Sequence, residues 1–273
     1  MAISERLIKV DGRAAHYYED GESHREAVIL LHGGFGDAWL HWAGVMPMFA
    51  EEYRVVALDL PGYGYSDPLP TSSIGSLVDW LGQVMVKMNL EQAILIGNSF
   101  GGLIARLFAA QYPQRVPVLV LVNGGVISSV PGYASFVAKI PMIGYQFYYG
   151  LAKSTTSTAK LQDLVNKKDL LTTEFTSRVQ KEVKGLARIM RALAASSVPQ
   201  KRIPQIPVLL LWGEEDSIWP RVVGERIHQG IPGSQLSLIA GCRHLPHVEE
   251  PEVFYYQVKN FLDSLARGRI VRE

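Results

Sequence analysis

A serine flanked by small residues stands where an apolar run of the sequence meets a helical pattern. The stretch Gly97–Gly101 (GNSFG) follows the apolar run Ala93–Ile96 and precedes LIARLFAAQYP, whose apolar residues recur at helical spacing. Because glycine has no Cβ, the flanking glycines allow a tight turn that lifts the side chain of Ser99 clear of the backbone. This context favours a nucleophilic serine over the alternative, a serine that only caps the following helix.

A nucleophilic serine needs a general base, and the base needs a carboxylate to orient it. After Ser99, the apolar run VLLLW ends in three carboxylates, Glu214–Asp216, and the next run, LSLIA, is followed by His244 and His247. The order serine, acid, histidine is the one expected for a nucleophile on a strand-to-helix turn. The residues alone leave open which carboxylate and which histidine act.

Eight apolar or alternating runs predict the strands that must position these side chains. Helical patterns separate the later runs, so we expect a mostly parallel sheet flanked by helices, an α/β fold. The predicted strands are Leu7–Val10, Ala14–Tyr18, Ala27–Leu31, Arg54–Leu58, Ala93–Ile96, Val118–Val122, Val208–Trp212 and Gln235–Ile239. The predicted helices between and after them are Leu40–Ala50, Gly75–Met88, Leu103–Gln111, Arg221–Gln229 and Val253–Leu265.

The alternation of strands and helices stops between Val122 and Val208. This stretch is aromatic-rich at first (YASFVAKIPMIGYQFYYG) and helical in pattern later (EFTSRVQKEVKGLARIMRALAAS). A structureless loop of that length is implausible, so we predict a helical cap insertion over residues 125–199, between core segments 1–124 and 200–273. Ligands of open α/β sheets bind at the carboxyl edge, where such an insertion would roof a pocket.

Composition narrows the class of protein further. The 273 residues carry 27 Lys and Arg against 26 Asp and Glu, which predicts no general attraction to nucleic acid. The single cysteine, Cys242, cannot form an internal disulfide. No run approaches the ~20 apolar residues of a membrane span, and the amino terminus lacks a signal-like apolar segment. We therefore expect a cytoplasmic enzyme that acts on a small molecule without metal or cofactor; the sequence does not predict its oligomeric state.

Five motifs in order give the chain a resemblance to the α/β-hydrolase superfamily over nearly its whole length. They are HGGFGDAW (His32–Trp39), DLPGYGYSD (Asp59–Asp67), GNSFGG (Gly97–Gly102), WGEEDSIWP (Trp212–Pro220) and HLPHVEEPEVF (His244–Phe254). The resemblance implies a serine hydrolase with a cap, with Asp216 as the acid and His244 rather than His247 as the base. It also implies an oxyanion hole formed by the N–H groups of Gly34 and Phe100. The chain departs from the family at Arg243, where glycine is usual.

The substrate is predicted less directly. The aromatic first half of the cap favours a small, largely apolar carboxylic ester, cleaved through an acyl-enzyme. Asn98 before the nucleophile resembles the meta-cleavage-product hydrolases, which cleave a carbon–carbon bond and hold a substrate carboxylate with a cap arginine, here Arg188 or Arg191. Leu245 and the absence of a G-P-G run depart from that subfamily, so we place carbon–carbon cleavage second. A ligand receptor on a hydrolase fold is the alternative of another class.

The candidate substrate contacts are few. Phe35 follows Gly34 in the oxyanion loop, and Arg188 and Arg191 lie off the apolar stripe of the later cap helix. The default expectation for the cations of this helix is that they are solvated at the surface.

Overall fold

One sheet of eight strands runs through the computed structural model, which describes residues 2–71, 73–126, 130–196 and 203–270. The strands are β1 (Ser4–Val10), β2 (Arg13–Asp20), β3 (Ala27–Leu31), β4 (Arg54–Leu58), β5 (Ile94–Asn98), β6 (Leu119–Val122), β7 (Val208–Gly213) and β8 (Gln235–Ile239). Their order across the sheet is β1-β2-β4-β3-β5-β6-β7-β8. The predicted α/β fold with a mostly parallel, eight-stranded sheet is thus confirmed.

Turn chemistry and burial explain this sheet. Asp11 and Gly12 both have positive φ angles, 49° and 77°, and form the two-residue turn of the antiparallel β1–β2 hairpin. β2 pairs antiparallel with β4, and all pairings from β4 through β3 to β8 are parallel. Every residue of β3 is buried, which is the pattern of a strand covered on both faces.

Helices cover both faces of the sheet. The helices of the described chain are α1 (Ala38–Trp42), α2 (Met46–Phe49), α3 (Ile74–Lys87), α4 (Ser99–Gln111), α5 (Gly132–Lys139), α6 (Pro141–Thr155), α7 (Thr158–Leu161), α8 (Thr173–Lys181), α9 (Val183–Ala195), α10 (Arg221–Gly230), α11 (Pro246–Glu249) and α12 (Pro251–Ile270). One face, which includes Ile29 and Leu31, packs on α3, α4 and α10. The other, which includes Val28 and Leu30, packs on α1, α2 and α12.

The prediction of one continuous helix over Leu40–Ala50 is wrong. The structure has two short helices there, α1 and α2, with Ala43–Val45 between them. Pro47 explains the break, because proline has no N–H to donate to the carbonyl four residues earlier and its ring clashes with that turn. Pro47 instead sits in the first turn of α2, where the missing N–H has no helical acceptor.

Five helices, α5 to α9, lie between β6 and β7, in the stretch predicted to form the cap. The later helical pattern is split at Glu182, a buried residue with φ −90° and ψ 10° that ends α8 and precedes α9. The predicted boundary at residues 199 and 200 lies outside the described residues. Within the described ranges, no helix is both long enough and apolar enough to cross a membrane.

Candidate active site

Ser99 lies in a sharp turn between β5 and α4. It is the half-buried first residue of α4 and has a φ of 51°, which is uncommon for a residue other than glycine. A Cβ on Gly97 would lie 2.6 Å from the carbonyl of Gly101, and one on Gly124 would lie 2.2 Å from Ser99 Cα. The turn therefore depends on the absence of side chains at these glycines. A strained residue of this kind costs about 1–3 kcal/mol and persists where packing enforces it.

Asp216 and His244 form a buried hydrogen-bonded pair at the same edge of the sheet. His244 Nδ1 lies 2.9 Å from Asp216 Oδ2, and both side chains are almost fully buried. Burial alone would raise the pKa of Asp216, but the attraction of His244 and hydrogen bonds from His244 and Asn123 outweigh it, so this pKa is lowered. Asp216 is therefore ionised at neutral pH and accepts the Nδ1 proton of His244.

The other ring nitrogen of His244 faces no acceptor or donor. Nε2 is buried and has no hydrogen-bond partner among the described residues, so the hydroxyl of Ser99 is not bonded to it in this structure. With its proton on Nδ1, His244 has a free lone pair on Nε2, as a general base requires. Hydrogen bonds between a nucleophile and its base are often long in unliganded sites and tighten in the substrate complex.

Asn98 couples the position of Ser99 to that of His244. This buried side chain directly precedes Ser99 and donates from Nδ2 to the carbonyl of His244 at 3.1 Å. The same amide donates to the carbonyl of Val122 at 3.1 Å. The backbone N–H of His244 in turn donates to the carbonyl of Leu164, between α7 and α8, at 2.9 Å.

Asn123 is a site residue that sequence reasoning missed. It directly follows β6, and its Nδ2 donates to Asp216 Oδ2 at 2.6 Å and to the carbonyl of Arg243 at 3.2 Å. Its Oδ1 accepts the N–H of Gly213 at 2.9 Å. The available signal was its place, since a polar residue at the carboxyl end of a buried parallel strand points to this edge.

The loop after β3 lies against the serine. A Cβ on Gly33 would be 3.2 Å from Ser99 Cβ, so this backbone approaches the nucleophile at van der Waals distance. His32 shapes the loop: its Nε2 accepts the N–H of Leu60 at 2.9 Å, and its Nδ1 donates to the carbonyl of Gly33 at 2.6 Å. Both ring nitrogens are therefore used, which leaves His32 a structural residue.

The two predicted oxyanion donors are backbone N–H groups, one in the turn at Ser99 and one in the loop after β3. Phe100 is in the first turn of α4, where N–H groups have no acceptor within the helix. Gly34 follows the close-approach glycine, Gly33, and its carbonyl accepts the Tyr63 hydroxyl at 3.2 Å. The hydroxyl bond orients the Gly34–Phe35 peptide plane, whereas the bond from His32 to the Gly33 carbonyl orients the plane that carries the Gly34 N–H.

The cap contacts this loop directly. Phe35 is half-buried and packs against apolar residues of α8 and α9, including Val179 and Leu186. A Cβ on Gly34 would lie 2.9 Å from Leu186 Cδ1, so the side chain of Leu186 in α9 packs closely over this glycine. Phe35 therefore packs between the loop and helices α8 and α9, and its role as a substrate contact stays a prediction.

An ion pair also joins the cap to this loop. Arg178 of α8 donates to Asp37 at 2.8 Å, and Asp37 also caps α1 by accepting the N–H of Leu40 at 2.9 Å. Arg178 is 32% exposed and Asp37 is 9% exposed in their side chains. The expectation of a solvated cation is therefore wrong for Arg178, because a carboxylate from the core lies within reach.

The structure places Arg188 and Arg191 together beside a cavity of about 500 Å³. Leu69–Thr71, Lys139 and Tyr145 also line this cavity, and no acidic residue of the described ranges does. Arg191 Nε donates to the carbonyl of Ala138 at 2.8 Å, which ties α9 to α5. A Cβ on Gly62 would lie 3.3 Å from Arg188 Nη1, which places this guanidinium at the junction of cap and core.

A buried pair of histidines, separate from the Asp216–His244 pair, contacts the loop after β3. His41 Nδ1 is 3.1 Å from His247 Nε2, and His41 Nε2 donates to the carbonyl of Phe35 at 2.8 Å. Burial lowers the pKa of His41 well below its usual value and that of His247 to about 3. Both rings are neutral at physiological pH, and His247 contacts no carboxylate in the described hydrogen bonds.

The two other carboxylates that the sequence offered as the orienting acid lie at the surface. Glu214 and Glu215 are exposed, and Glu214 pairs with Arg221 at 3.2 Å. Across the part of the chain that the structure describes, no three His, Cys, Asp or Glu side chains are grouped so that they could hold a metal ion.

An α/β sheet with a serine at a strand-to-helix turn, and an Asp–His pair at the same edge, is the architecture of enzymes with a nucleophile elbow. Residues 26–142 match the family model described as alpha/beta hydrolase fold. A 2-hydroxy-6-oxononadienedioate/2-hydroxy-6-oxononatrienedioate hydrolase of Cupriavidus pinatubonensis is 31% identical over 262 residues, covering 88% of this chain and 87% of that protein. The chain belongs to the α/β-hydrolase family.

Two further similarities extend over most of the chain. A second hydrolase with the same substrate name, from Pseudomonas putida, is 30% identical over 274 residues, which cover 90% of this chain and 91% of that protein. The solved structure of a membrane phospholipase A, a bacterial virulence factor, superposes with a TM-score of 0.80 at 25% identity, covering 97% of this chain and 87% of that one.

Proposed function

We propose that this protein hydrolyses a carbon–carbon bond in a 2-hydroxy-6-oxo dienoic acid, with Ser99 as nucleophile, His244 as general base and Asp216 as its orienting acid. The observation that carries the proposal is the identity of 31% and 30%, over 88% and 90% of this chain, to two hydrolases named for such substrates. The order of the two sequence-based predictions is therefore reversed, and ester hydrolysis becomes the second candidate.

The substrate first tautomerises, losing the proton of its C2 hydroxyl and gaining one at C5, and the carbonyl at C6 of this keto form is then attacked. The Ser99 oxygen bonds to that carbon while His244 Nε2 takes the hydroxyl proton, and Asp216 stabilises the imidazolium that forms. The N–H groups of Gly34 and Phe100 are proposed to hold the oxyanion; each such donor is worth roughly 10²–10³ in kcat.

The second step breaks the C5–C6 bond, which has a poor leaving group. The electron pair passes through the conjugated double bond to the oxygen on C2, which accepts the proton that His244 took from Ser99. Water then attacks the acyl group on Ser99 with His244 again as base. The overall reaction consumes one water molecule, yields two carboxylic acids and involves no oxidation or reduction.

The substrate carboxylate is proposed to bind at Arg188. Arg191 already donates through Nε to the carbonyl of Ala138, whereas the guanidinium of Arg188 faces the cavity beside Gly62. Among the described residues, the lining of this cavity holds Arg188, Arg191 and Lys139 and no acidic side chain, which favours an anion. The cap, proposed to comprise residues 125–199, supplies all three cations.

An ester remains the second candidate because of two observations. The structure of a phospholipase A is similar over 97% of this chain. Leu245, directly after His244, is fully buried in an apolar cluster with Leu164 and Phe175, so the surroundings of the proposed base are apolar on that side. Such surroundings would suit a small apolar acyl group.

A direct assay separates these candidates. The chain is incubated with a 2-hydroxy-6-oxo dienoic acid, followed by loss of its visible absorbance, and in parallel with p-nitrophenyl butyrate. Many turnovers on the dienoic acid, with a much higher kcat/KM than on the ester, support the proposal. Turnover of the ester alone would replace it by the second candidate, and tight ligand binding without turnover would indicate a receptor.

The role of Arg188 is tested by Arg188→Gln. Loss of a charge-assisted pair of hydrogen bonds should raise KM for the dienoic acid about 10–100-fold. KM for the uncharged ester should change little. Arg191→Gln is the matched control, since its loss affects the α5–α9 contact rather than a substrate carboxylate. Equal effects of Arg188→Gln on both substrates would contradict the assignment.

A further inference from the structure

Two consecutive helices of the cap, α5 and α6, present large apolar side chains to solvent. The exposed fractions are 70% for Tyr133, 68% for Phe136, 82% for Met142 and 62% for Ile143. One and two turns further along α6, Phe147 is 43% exposed and Leu151 is 40% exposed. We refer to these six residues, which lie within 133–151, as the cap face. Apolar residues scattered singly on a surface are ordinary, but a concentration of this kind marks an interaction site.

The inner side of the same helices is already buried against other helices of the chain. Gly144, Tyr148 and Ala152 of α6 recur every four residues and are buried. α6 packs on α9, and a Cβ on Gly144 would lie 2.5 Å from the carbonyl of Val137 in α5. Ile143, Phe147 and Leu151 also recur every four residues, on a different side of α6. The cap face is therefore not part of the cap's own core, and covering it requires something outside the chain fold.

The chain segment that forms the cap face carries charge of one sign. From 92 to 162 the sequence contains no Asp or Glu, although the whole chain is balanced at 27 basic and 26 acidic residues. Three exposed lysines fall on or just after these helices: Lys139, Lys153 and Lys160. Apolar and aromatic residues accompanied by lysines, with no acidic residues, form the composition of helices that lie in an anionic membrane interface.

The charge also argues against a second copy as the occupant. A two-fold interface brings the same patch of both chains together, so the lysines of one copy would approach those of the other without any carboxylate to pair with. A bilayer containing anionic lipid offers instead both an apolar layer and a negative surface. Each lysine near such a surface improves binding about fivefold.

We propose that the cap face docks on the surface of an anionic lipid bilayer. The six apolar side chains enter the headgroup region, and Lys139, Lys153 and Lys160 lie at the level of the lipid phosphates. The helices lie in the plane of the interface and do not cross the bilayer. This inference concerns binding of the chain and not turnover, although Lys139 also lines the cavity beside Arg188.

Vesicle co-sedimentation tests the proposal with the full chain. The vesicles are phosphatidylcholine containing about a third phosphatidylglycerol, compared with pure phosphatidylcholine. We expect the chain to sediment with the anionic vesicles, and increasing salt to release it in part because salt screens the lysines. The triple variant Phe136→Ser, Met142→Ser, Ile143→Ser should abolish sedimentation, and Lys139→Gln, Lys153→Gln, Lys160→Gln should weaken it about a hundredfold.

Matched controls use equally exposed residues elsewhere. Val86→Ser and Tyr256→Ser replace apolar side chains that are 63% and 60% exposed on α3 and α12, and Lys9→Gln with Lys87→Gln removes lysines far from the cap. These variants should sediment like the parent, and circular dichroism should show that all variants are folded. No sedimentation with anionic vesicles would overturn the proposal. So would equal losses in control and cap variants, or a dimer in solution that only the cap-face triple variant dissociates.

Discussion

At the scale of single residues, the position of one imidazole controls the proposed chemistry. His244 is held at three points: its ring by Asp216, its carbonyl by Asn98 and its N–H by the carbonyl of Leu164. Only Nε2 is left without a partner in the described structure. A buried polar atom without a partner costs free energy, so the retention of this atom at the sheet edge that also carries Ser99 points to a task that a substrate completes.

Removal of the serine hydroxyl should eliminate turnover. For Ser99→Ala we expect kcat to fall by roughly 10⁴-fold or more, as in other serine enzymes, because no other group can form the acyl intermediate. Stopped-flow and steady-state assays on the dienoic acid measure this. Ser264→Ala, on the exposed side of α12, is the control and should leave kcat unchanged. A Ser99→Ala variant with near-normal kcat would show that water, not Ser99, attacks the substrate.

Asn123 should prove to be a positioning residue. Asn123→Gly removes the amide that bonds Asp216 while tolerating the positive φ of 43° at this position. Loss of a hydrogen bond to a buried carboxylate should lower kcat about 10–100-fold. It should also raise the pKa of Asp216, so the acidic limb of the pH–rate profile should move to higher pH. A lower kcat with an unchanged profile would indicate a purely structural role.

At the scale of elements, the turn around Ser99 is a matter of packing as much as of chemistry. β5, α4 and the loop after β6 approach so closely that a methyl group on Gly124 would overlap the backbone of Ser99. The strained turn at Ser99 is therefore held in place by the loop after β6 as well as by the residues of the GNSFG stretch itself.

Gly124→Ala tests this dependence. The new methyl group would lie 2.2 Å from Ser99 Cα, so we expect a loss of about 3 kcal/mol in the free energy of unfolding, measured by urea titration. The control is Gly230→Ala at the end of α10, where nothing in the described structure lies within 4 Å of the new Cβ. Equal stabilities of the two variants would mean that the loop after β6 can move away from the turn at little cost.

The sequence predicts those strands and helices whose formation depends on residues close together in the chain. The predicted bounds of β3, β4 and β8 agree with the structure. β3 and β4 are short apolar runs covered on both faces, whereas β8 is a partly buried strand at the edge of the sheet. The break at Glu182 could not be predicted in this way. Its carboxylate accepts the N–H of Gly64, more than a hundred residues earlier, and a Cβ on Gly185 would lie 2.7 Å from Tyr63. Contacts of this range leave no local pattern.

The same distinction applies to the site. Ser99, Asp216 and His244 sit in motifs with a recognisable order, whereas Asn123 and the pair Asp37–Arg178 depend on which loops meet in space. The histidine pair His41–His247 joins positions more than two hundred residues apart. Polar residues of ordinary type become site residues only through the topology of the sheet.

At the scale of the whole molecule, the cap is joined to the core through polar contacts as well as apolar ones. Arg178 meets Asp37 on the oxyanion loop, and Glu182 meets the N–H of Gly64 at 3.2 Å. Leu186 and Phe35 fill the space between these contacts. Any change in the position of α8 or α9 should therefore be transmitted to the loop that is proposed to hold the oxyanion.

Glu182 should make this junction sensitive to pH. Burial raises its pKa from 4.5 to about 7, and repulsion from Asp37 and Asp59 adds to the rise, although the Gly64 N–H opposes it. Between these two pKa values the folded chain binds a proton at Glu182 that the unfolded chain does not bind. The free energy of unfolding of the parent should therefore fall by about 2 kcal/mol as pH rises from about 5 to about 7.

The variant Glu182→Gln keeps an acceptor for the Gly64 N–H but cannot ionise. Its free energy of unfolding relative to the parent should therefore increase as pH rises from about 5 to about 8. Urea titrations at both pH values measure this, with the exposed Glu252→Gln as control. If the advantage of the Glu182→Gln variant is the same at both pH values, Glu182 is not protonated in the folded chain near neutrality.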